Sequence, residues 1–405
     1  MKVFSVGGFS AWWGDDMPPN ILGPEYKGTR TIGGGEEAMV RTSVGLAEHG
    51  HDVTLYWCGL PGEWRGVKFR GVRDPLSTAI LQEKPDVIIG WSTIIPFQFK
   101  SEKTLCLLAQ QLNDCWCVGN WDLVDCVVSP SKTHADQLAG WGYKTSDGHV
   151  RPWTVVHNGL DPELYGSGGR DGDFTVPPDF VRNKEWDPID GGTPYVRVPT
   201  WKDRPLNVGH WSSPDRGLQH LLKVWPEVIK REPQARLHVF YEIDKWLDSG
   251  CWRNLNIYGD RARLMRRESL PQAKADPTII FHGAVTRTVL AKAQLECRVQ
   301  CYPLDPFQFV EGFGGAVNQG IAAGCHVLLA PHDAFPSLFD GAVTWLPAEP
   351  FAMVRALPDA IIKALHTPPP SGAEAARFKF TWERAAAEMN RAIHRDWDCA
   401  SAEVS

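Results

Sequence analysis

The sequence predicts an α/β fold with parallel sheets, and its 405 residues are enough for two domains of ordinary size. The first observation lies at the N-terminus: Lys2 to Val6 is apolar, Gly33 to Gly35 opens an amphipathic helix, and Val53 to Trp57 is apolar again. The second is the same order later in the chain, where a glycine-rich turn within Glu311 to Cys325 lies between two apolar runs. Strands that alternate with helices in this way are typical of βαβ units in a parallel sheet.

The composition is that of a globular protein without a general affinity for nucleic acid. Hydrophobic residues make up 43% of the chain, and the formal net charge is -6. The sequence pI is about 6.1, so no overall basic field points to DNA or RNA. Tryptophan is abundant, with 18 residues. Such rings fill cores and also stack on sugar rings through their apolar faces.

The cysteines and the apolar runs predict a cytoplasmic protein, with attachment to a membrane surface as a variant of that location. The ten cysteines include no CxxC pair, so we interpret them as free thiols in a reducing compartment. The first nine residues resemble a strand rather than a targeting segment. No apolar run reaches the roughly 18 residues needed to span a bilayer.

The stretch from Glu311 to Cys325 carries the strongest chemical signal. Gly312, Gly314 and Gly315 permit positive φ and close approach of the backbone to a ligand. The following helix would present free N–H groups that attract anions. An acidic Glu311 beside such a turn indicates a contact with something other than phosphate, such as sugar hydroxyls. Taken alone, the pattern also fits an ordinary βα turn in a parallel sheet.

The N-terminal glycine loop allows two interpretations. Gly33-Gly34-Gly35 is either a flexible connection or a loop whose backbone approaches a diphosphate. The amphipathic helix after it carries Met39, Val40 and Val44 on one face.

Several motifs together resemble the retaining GT-B glycosyltransferases of glycosyltransferase family 4. Glu-x-Phe-Gly at Glu311 begins a segment that ends Ala-Ala-Gly-Cys-x-Val, which is similar to the donor-site signature of that family. The family's second glutamate falls on Gln319, which departs from the pattern. Gly-Gly-Gly-Glu at Gly33 and the turn Val155 to Asp161 are similar to the family's first domain. The resemblance covers roughly residues 1–60, 100–165 and 205–395.

The resemblance implies two Rossmann-like domains facing each other across a cleft. The donor, a nucleoside-diphosphate sugar, would bind mainly to the second domain and the acceptor mainly to the first. No metal or other cofactor would be required, and the anomeric configuration would be retained. The implied ranges are 1–165 for the first domain, 166–204 for a linker with an insertion, 205–378 for the second domain and 379–405 for a returning helix and tail.

The resemblance also assigns roles to residues. The expected donor-binding residues are Gly34, Gly35, Ser212, Arg216, Gly283, Gly312, Phe313, Gly314, Gly315 and Gln319. Arg216 would be the cation beside the diphosphate, with a solvated surface charge as the alternative. Gly283 lies where the family has its base-recognition loop. Glu311 would orient the sugar hydroxyls and stabilise positive charge on the reacting sugar.

Asn113 and Asp114 complete the expected catalytic residues. They follow a predicted strand, Thr104 to Leu108, and take the place where many family members carry a histidine. Polar residues at the carboxyl end of a parallel strand lie where α/β folds bind ligands. Capping of the loop by these two side chains is the alternative. His134 is interpreted as a surface or core residue rather than as the missing histidine, and His157 as a structural residue.

Three further segments have weaker patterns. Residues 166–204 are rich in Gly, Pro and Asp and show little periodicity. Residues 252–274 are predicted to form a basic helix, which is either a solvated face or a contact for the acceptor or for an anionic surface. Phe380 to His394 is predicted to be a helix that braces the first domain.

The expected function is transfer of a sugar to a glycan, lipid or protein, and three alternatives stay open. One is a phage-type enzyme that glucosylates modified DNA bases, which the net charge of -6 disfavours. Another is a protein that binds a sugar nucleotide without turnover, suggested by Gln319 and Asn113. A dehydrogenase would need Gly-x-Gly-x-x-Gly at the first turn, and Val6-Gly7-Gly8-Phe9 does not supply it.

Overall fold

The structure is a computed structural model of the chain. It describes residues 1–7, 34–57, 61–71, 75–110, 121–140, 145–149, 151–167, 169–171, 174–176, 180–182, 195–249, 262–306 and 310–395. The backbone divides into two compact units. The first unit comprises Met1–Gly159, Phe309–Phe313 and Phe380–Ser405, and the second comprises Leu160–Gln308 and Gly314–Lys379. The domain boundaries expected at residues 165, 205 and 378 stay predictions.

Eighteen strands and twelve α-helices are found in the described part of the chain. The strands are β1 (Lys2–Gly7), β2 (Asp52–Trp57), β3 (Gly62–Trp64), β4 (Val67–Gly71), β5 (Val87–Trp91), β6 (Leu105–Ala109), β7 (Cys126–Ser129), β8 (Trp153–Val155), β9 (Gly169–Asp171), β10 (Phe174–Val176), β11 (Phe180–Arg182), β12 (Tyr195–Arg197), β13 (Asn207–His210), β14 (Arg236–Val239), β15 (Ile279–Phe281), β16 (Val299–Tyr302), β17 (His326–Leu329) and β18 (Thr344–Trp345). The helices are α1 (Gly34–Glu48), α2 (Leu76–Glu83), α3 (Lys132–Gly140), α4 (Leu218–Arg231), α5 (Ile243–Ser249), α6 (Leu270–Ala275), α7 (Arg287–Glu296), α8 (Gly315–Ala322), α9 (Phe335–Phe339), α10 (Pro350–His366), α11 (Gly372–Ala376) and α12 (Trp382–His394).

The first unit is built on an eight-stranded sheet in the order β3-β4-β2-β1-β5-β6-β7-β8. Every pair is parallel except β3 with β4. Both faces are covered, because Val3 packs in one hydrophobic cluster and Phe4 in another. A strand buried on both faces carries apolar residues in succession, which is why β1 appears as a continuous apolar run.

Helix α12 packs on α1 in the first unit. A Cβ on Gly45 of α1 would lie 2.2 Å from the Cβ of Ala386, so the two helices approach where both residues are small. His51 Nε2 and Asn390 Oδ1 are 2.8 Å apart although 339 residues separate them along the chain. Residues from the end of the described chain therefore complete the core that β1 and α1 begin.

The second unit contains a six-stranded parallel sheet in the order β15-β14-β13-β16-β17-β18. Helix α4 buries Leu221, Trp225 and Val228 at the spacing of a helical face, as the sequence predicted. It packs against α10, which in turn packs against β13, β16 and β17 of this sheet. The indole N–H of Trp225 donates to Thr278 Oγ1 at 2.9 Å, which anchors the middle of α4.

Two predicted segments differ from the structure. Within residues 166–204, β9 pairs with β10 and β11 pairs with β12, both antiparallel. The prediction of a linker missed these strands because three residues are too short to show alternation. The predicted basic helix at 252–274 is helical from residue 262, including a π turn at Met265–Ser269, and its earlier part lies outside the described residues.

Candidate functional site

Two helices of the second unit follow neighbouring parallel strands of its sheet. Strands β13 and β16 are parallel neighbours, with Val208 opposite Val299. The loop after β13 leads to α4 and the loop after β16 leads to α8. Parallel strands end at the same edge of a sheet, where α/β folds bind their ligands.

Glycines in the left-handed conformation start both helices. Gly217 precedes α4 with φ of +94°, and Gly314 precedes α8 with φ of +87°. Among the described residues, no side chain caps either helix start. The first N–H groups of a helix have no partner within the helix and carry partial positive charge. Two such starts at neighbouring strand ends suit a ligand with two phosphate groups.

Both glycines are also required by close packing. A Cβ on Gly217 would lie 2.0 Å from the carbonyl oxygen of Pro303, in the loop after β16. A Cβ on Gly314 would lie 2.4 Å from the ring of Phe335. The neighbouring Gly315 has no atom within 4 Å of its Cβ position, so it has room for a side chain.

The first turn of α8 is anchored to the sheet by two side chains. Trp211 Nε1 and Gln300 Nε2 each donate to the carbonyl oxygen of Ala316 at 2.9 Å. Gly320 lies against the same glutamine, since a Cβ there would be 1.8 Å from Gln300 Oε1. These contacts fix the position of the helix start. Sequence reasoning did not identify Trp211 or Gln300 because neither belongs to a recognisable motif.

The predicted cation, Arg216, is half-buried and forms an ion pair with the adjacent Asp215. This pairing reduces the net charge that Arg216 presents to a ligand.

A second acidic residue, Asp305, is buried after β16 and lies 3.0 Å from His220 Nε2 of α4. Ser212 Oγ lies 3.1 Å from the hydroxyl of Tyr302. His210 is fully buried, and burial lowers the pKa of His210 from 6.5 to about 4, so it is uncharged at neutral pH.

Gln319 belongs to a chain of hydrogen bonds. Tyr165 donates its hydroxyl proton to Gln294 Oε1 at 2.8 Å, and Gln294 Nε2 donates to Gln319 Oε1 at 3.2 Å. Tyr165 and Gln294 are buried, whereas Gln319 is half-buried. The carbonyl oxygen expected to accept a bond from a donor hydroxyl therefore already accepts one from the protein. One lone pair of that oxygen remains.

Gly283 lies in the turn after β15, beside a stack of rings that the sequence did not reveal. Phe240 and His282 are parallel with centroids 4.2 Å apart, and His282 Nε2 lies 3.0 Å from His238 Nδ1. Burial lowers the pKa of His238 to about 4, with a further contribution from electrostatic repulsion by His282. Burial also lowers the pKa of His282. Uncharged rings at the ends of neighbouring strands form an aromatic surface next to Gly283.

The boundary between the two units falls between Phe313 and Gly314. Glu311, Gly312 and Phe313 therefore belong to the first unit, and Gly314 belongs to the second. Ser131 Oγ donates to the carbonyl oxygen of Gly312 at 2.6 Å. A Cβ on Gly312 would lie 3.1 Å from the ring of His134, so the glycine permits this approach. Glu311 itself is half-buried.

His134 and His157 both belong to the first unit. His134 is fully buried, with Nδ1 2.8 Å from Ser129 Oγ. His157 lies against Phe380, with ring centroids 4.9 Å apart, and Phe313 packs edge-on against the same ring at 5.2 Å. His134 is therefore a core residue, one of the two positions predicted for it, and the structural role of His157 stays a prediction.

The remaining expected residues are described only in part. Gly34 and Gly35 are the first two residues of α1. Asn113 and Asp114 lie outside the described residues.

In the ranges that the structure describes, no three His, Cys, Asp or Glu side chains group as a metal site would require. The expectation that no metal is needed stays a prediction. None of the described helices is both long and apolar enough to cross a membrane.

Comparisons with known proteins agree on the fold. No known protein-family profile matches the sequence, and no curated protein sequence matches it significantly. Among solved structures, HepE of Anabaena in complex with UDP and glucose matches with a TM-score of 0.58 and 12% identity, over 97% of this chain and 100% of that chain. Sucrose-phosphate synthase of Thermosynechococcus elongatus matches with a TM-score of 0.57 and 14% identity, over 97% and 98%. AviGT4, a glycosyltransferase involved in avilamycin A biosynthesis, matches with a TM-score of 0.57 and 14% identity, over 98% of each chain.

These matches extend over nearly the whole chain and define its class of fold. The chain has the GT-B architecture, with two parallel-sheet α/β domains, as the sequence predicted. Identities of 12–14% show the fold alone.

Proposed function

We propose that this protein is a glycosyltransferase that moves a sugar from a nucleoside-diphosphate sugar to an acceptor hydroxyl. The observation that carries the proposal is the pair of glycine-started helices after the neighbouring strands β13 and β16, at Gly217 and Gly314, without a side-chain cap among the described residues. They supply backbone N–H groups for a leaving diphosphate, whose negative charge grows during the reaction. The GT-B fold agrees with this proposal.

The donor is proposed to lie on the second unit. Gly217, Gly314 and Gly315 bind the diphosphate together with Arg216, which Asp215 holds in place. The rings beside Gly283 contact the base, and Gln319 contacts the ribose. Among the neighbours, HepE was solved with UDP and glucose, so a uridine nucleotide is the first donor to test.

Glu311 is proposed to bind the hydroxyls of the transferred sugar, with Gly312 and Phe313 holding it in place. The contact between Ser131 and the Gly312 carbonyl fixes the backbone next to this carboxylate. Asn113 and Asp114 are proposed to act with Glu311. We further propose family 4 chemistry: the acceptor oxygen bonds to the anomeric carbon on the face that the diphosphate leaves, and the leaving phosphate takes the acceptor's proton. The anomeric configuration is then retained and no metal takes part.

A protein that binds the sugar nucleotide without turnover is the second candidate. The observation that favours it is the bond from Gln294 to Gln319, which occupies part of the acceptor capacity that a ribose would use. A charge-assisted hydrogen bond contributes about 1.5–3 kcal/mol and a neutral one about 1 kcal/mol, so Gln at this position weakens binding without abolishing it.

For the enzyme, the proposed acceptor is a glycan, lipid or protein, and DNA is retained as the alternative.

Thermal unfolding with UDP-, GDP-, ADP- and dTDP-glucose, each with and without EDTA, tests the donor site. A ligand at about one hundred times its dissociation constant stabilises the folded chain by about 2.7 kcal/mol, which raises Tm by several degrees. We expect one nucleotide to give this shift, unchanged by EDTA. No shift with any of the four would overturn the donor site, and a shift abolished by EDTA would overturn metal independence.

Turnover separates the enzyme from the binding protein. The Glu311→Gln variant is expected to lose transfer, or hydrolysis of the donor, by about a hundredfold or more, as when one group that stabilises transition-state charge is removed. Glu63→Gln, which neutralises an exposed carboxylate of the first unit, is the matched control and should keep full activity. Donor binding without any turnover in the unaltered chain would establish the second candidate. NMR of the product tests retention, and an inverted product would exclude the proposed chemistry.

A further inference from the structure

A cavity of about 390 Å³ lies within the second unit, lined by residues other than those assigned to the donor. Its walls come from the segment after β12, from the C-terminal end of α8, and from α11 with the prolines before it. The volume is within the range of about 300–1,000 Å³ that small-molecule sites occupy.

The charge of the lining is strongly positive for a chain whose formal net charge is -6. Arg197, Arg204 and Arg377 contribute three positive charges, and Glu374 contributes one negative charge, so the lining carries a formal charge of +2. Glu374 forms a 3.4 Å ion pair with Arg377, and its side chain is 80% exposed. The excess charge is therefore located on Arg197 and Arg204.

Arg204 is a buried cation held by carbonyl groups. Only 5% of this residue is exposed. Its guanidinium donates from Nη1 to Cys297 O at 2.9 Å, from Nη2 to Ala323 O at 2.7 Å and from Nε to Pro199 O at 3.4 Å. Among the described residues, no carboxylate lies within 4 Å of it. Burial lowers the pKa of Arg204, because no anion offsets the loss of hydration.

The guanidinium of Arg204 has capacity for a ligand. A guanidinium carries five N–H groups. Three of them donate to these carbonyls, and the thiol of Cys325 is a further hydrogen-bond partner of the group. Arg197 is exposed, and in the part of the chain that the structure describes it forms neither an ion pair nor a hydrogen bond. Two arginines that line one cavity can both donate to the oxygens of a phosphate group.

We propose that this cavity binds a small phosphate monoester, with Arg197 and Arg204 on the phosphate. A phosphate monoester carries a charge of about -1.5 to -2 at pH 7, which balances the +2 of the lining. Val198, Trp201 and Pro370 offer an apolar wall to the organic part of the ligand. This site is separate from the proposed donor site, because it lies at the C-terminal end of α8 whereas the donor glycines lie at the start of that helix.

Calorimetric titration of the full chain with ribose 5-phosphate tests the proposal. Arg197→Glu is the informative variant, because Arg197 is exposed and its replacement removes no described contact. Arg355→Glu is the matched control, since Arg355 is an exposed arginine of α10 in the same unit and outside the cavity. We expect the unaltered chain and the control to bind ribose 5-phosphate equally, and Arg197→Glu to bind at least about tenfold more weakly.

Two further titrations identify what is bound and where. Ribose 5-phosphate should bind more tightly than inorganic phosphate, and uncharged ribose should not bind; the reverse order of the two phosphates overturns a monoester site. The affinity should be the same when UDP is present in excess, so displacement by UDP would place the ligand at a nucleotide site and overturn the proposal. Absence of binding by the unaltered chain, or equal affinities of Arg197→Glu and Arg355→Glu, would overturn it as well.

Discussion

The helices of this protein begin in two different ways. Helices α7, α10 and α12 begin with a side chain that accepts bonds from their own first N–H groups, from Thr286, Glu349 and Thr381 respectively. Helices α4 and α8 begin with glycine in the left-handed conformation and, within the described residues, with no side-chain cap.

Glu349 shows what the glycine-started helices lack. Its carboxylate accepts from Phe351 N at 2.9 Å and from Ala352 N at 2.6 Å, so an anion of the chain occupies the start of α10. A phosphate group would occupy the start of α8 in the same way. The comparison indicates that capped helix starts contribute to the stability of the fold. At the glycine starts no side chain takes the place of a ligand anion, although at α4 the N–H of Leu218 donates to the carbonyl oxygen of Pro214 at 3.2 Å.

The largest expected effect is that of Gly314→Ala. A side chain there adopts a left-handed conformation, which costs about 1–2 kcal/mol, and meets the ring of Phe335. Overpacking of this kind adds about 1–3 kcal/mol, so urea unfolding should show a loss of about 2–5 kcal/mol. An unchanged unfolding free energy would mean that the glycine start of α8 is not needed for packing.

Glu388→Gln should have the next largest effect and tests how the capped helix α12 is held. Burial raises the pKa of Glu388, but bonds from His157 and the charge of Arg384 bring it below 4.5 overall. The backbone N–H of His157 donates to Glu388 Oε2 at 2.8 Å. A bond to a charged group contributes about 1.5–3 kcal/mol, which the variant should lose at pH 7.

The pH dependence gives this prediction a sign. A carboxylate whose folded pKa is lowered stabilises the fold above its unfolded pKa, and that stabilisation disappears as pH falls through the folded pKa. The difference in unfolding free energy between the unaltered chain and Glu388→Gln should therefore be present at pH 5 and shrink as the pH falls below 4.5. A difference that stays constant down to pH 3 would contradict the role of the ionised carboxylate.

Gly315→Ala separates ligand binding from stability. Its Cβ position is open, so the fold should tolerate the substitution, whereas a methyl group at the helix start hinders a phosphate from reaching the N–H groups. Affinity for the donor should fall about tenfold or more, equivalent to about 1.4 kcal/mol, with Tm unchanged or slightly raised. Gly140→Ala is the matched control because its Cβ position is equally open and it lies at the end of α3. Equal donor affinities in the two variants would exclude the start of α8 as the phosphate site.

Glu349→Ala should give the smallest effect and the opposite result. Loss of this cap should cost about 1 kcal/mol of stability, as found for helix N-caps in general. Donor affinity should not change, since Glu349 caps a different helix. Reduced donor affinity would show that the two kinds of helix start are not independent.

The sequence predicted the elements whose pattern is local. Strand β1 is a run of apolar residues, and helix α4 repeats its apolar residues at helical spacing. Helix α12 spans Trp382–His394 with Thr381 as its N-cap, close to the predicted Phe380 to His394. The glycines of the turn before α8 were recognisable because φ of +87° at Gly314 demands that residue. These features depend on neighbours within a few residues.

The contacts that complete the candidate site could not be predicted from the sequence. Ser131 and Gly312 are joined by one hydrogen bond across 181 residues, and no local pattern pairs them. Gln294 and Gln319 lie on different helices, so the bond that engages the Gln319 carbonyl appears only in three dimensions. The roles of the individual donor and catalytic residues stay predictions.

The packing of α12 on α1 sets an order of events during synthesis of the chain. Residues 160–379 contain the whole second unit, interrupted by residues 309–313 of the first unit, so the second unit can fold as soon as it leaves the ribosome. Synthesis of the first unit starts earlier, but the unit is complete only when Asn390 has been added, 339 residues after its partner His51. At about 5–20 residues per second this delay is about 20–70 s. During that time the apolar face of α1 lacks its partner helix and needs protection from aggregation.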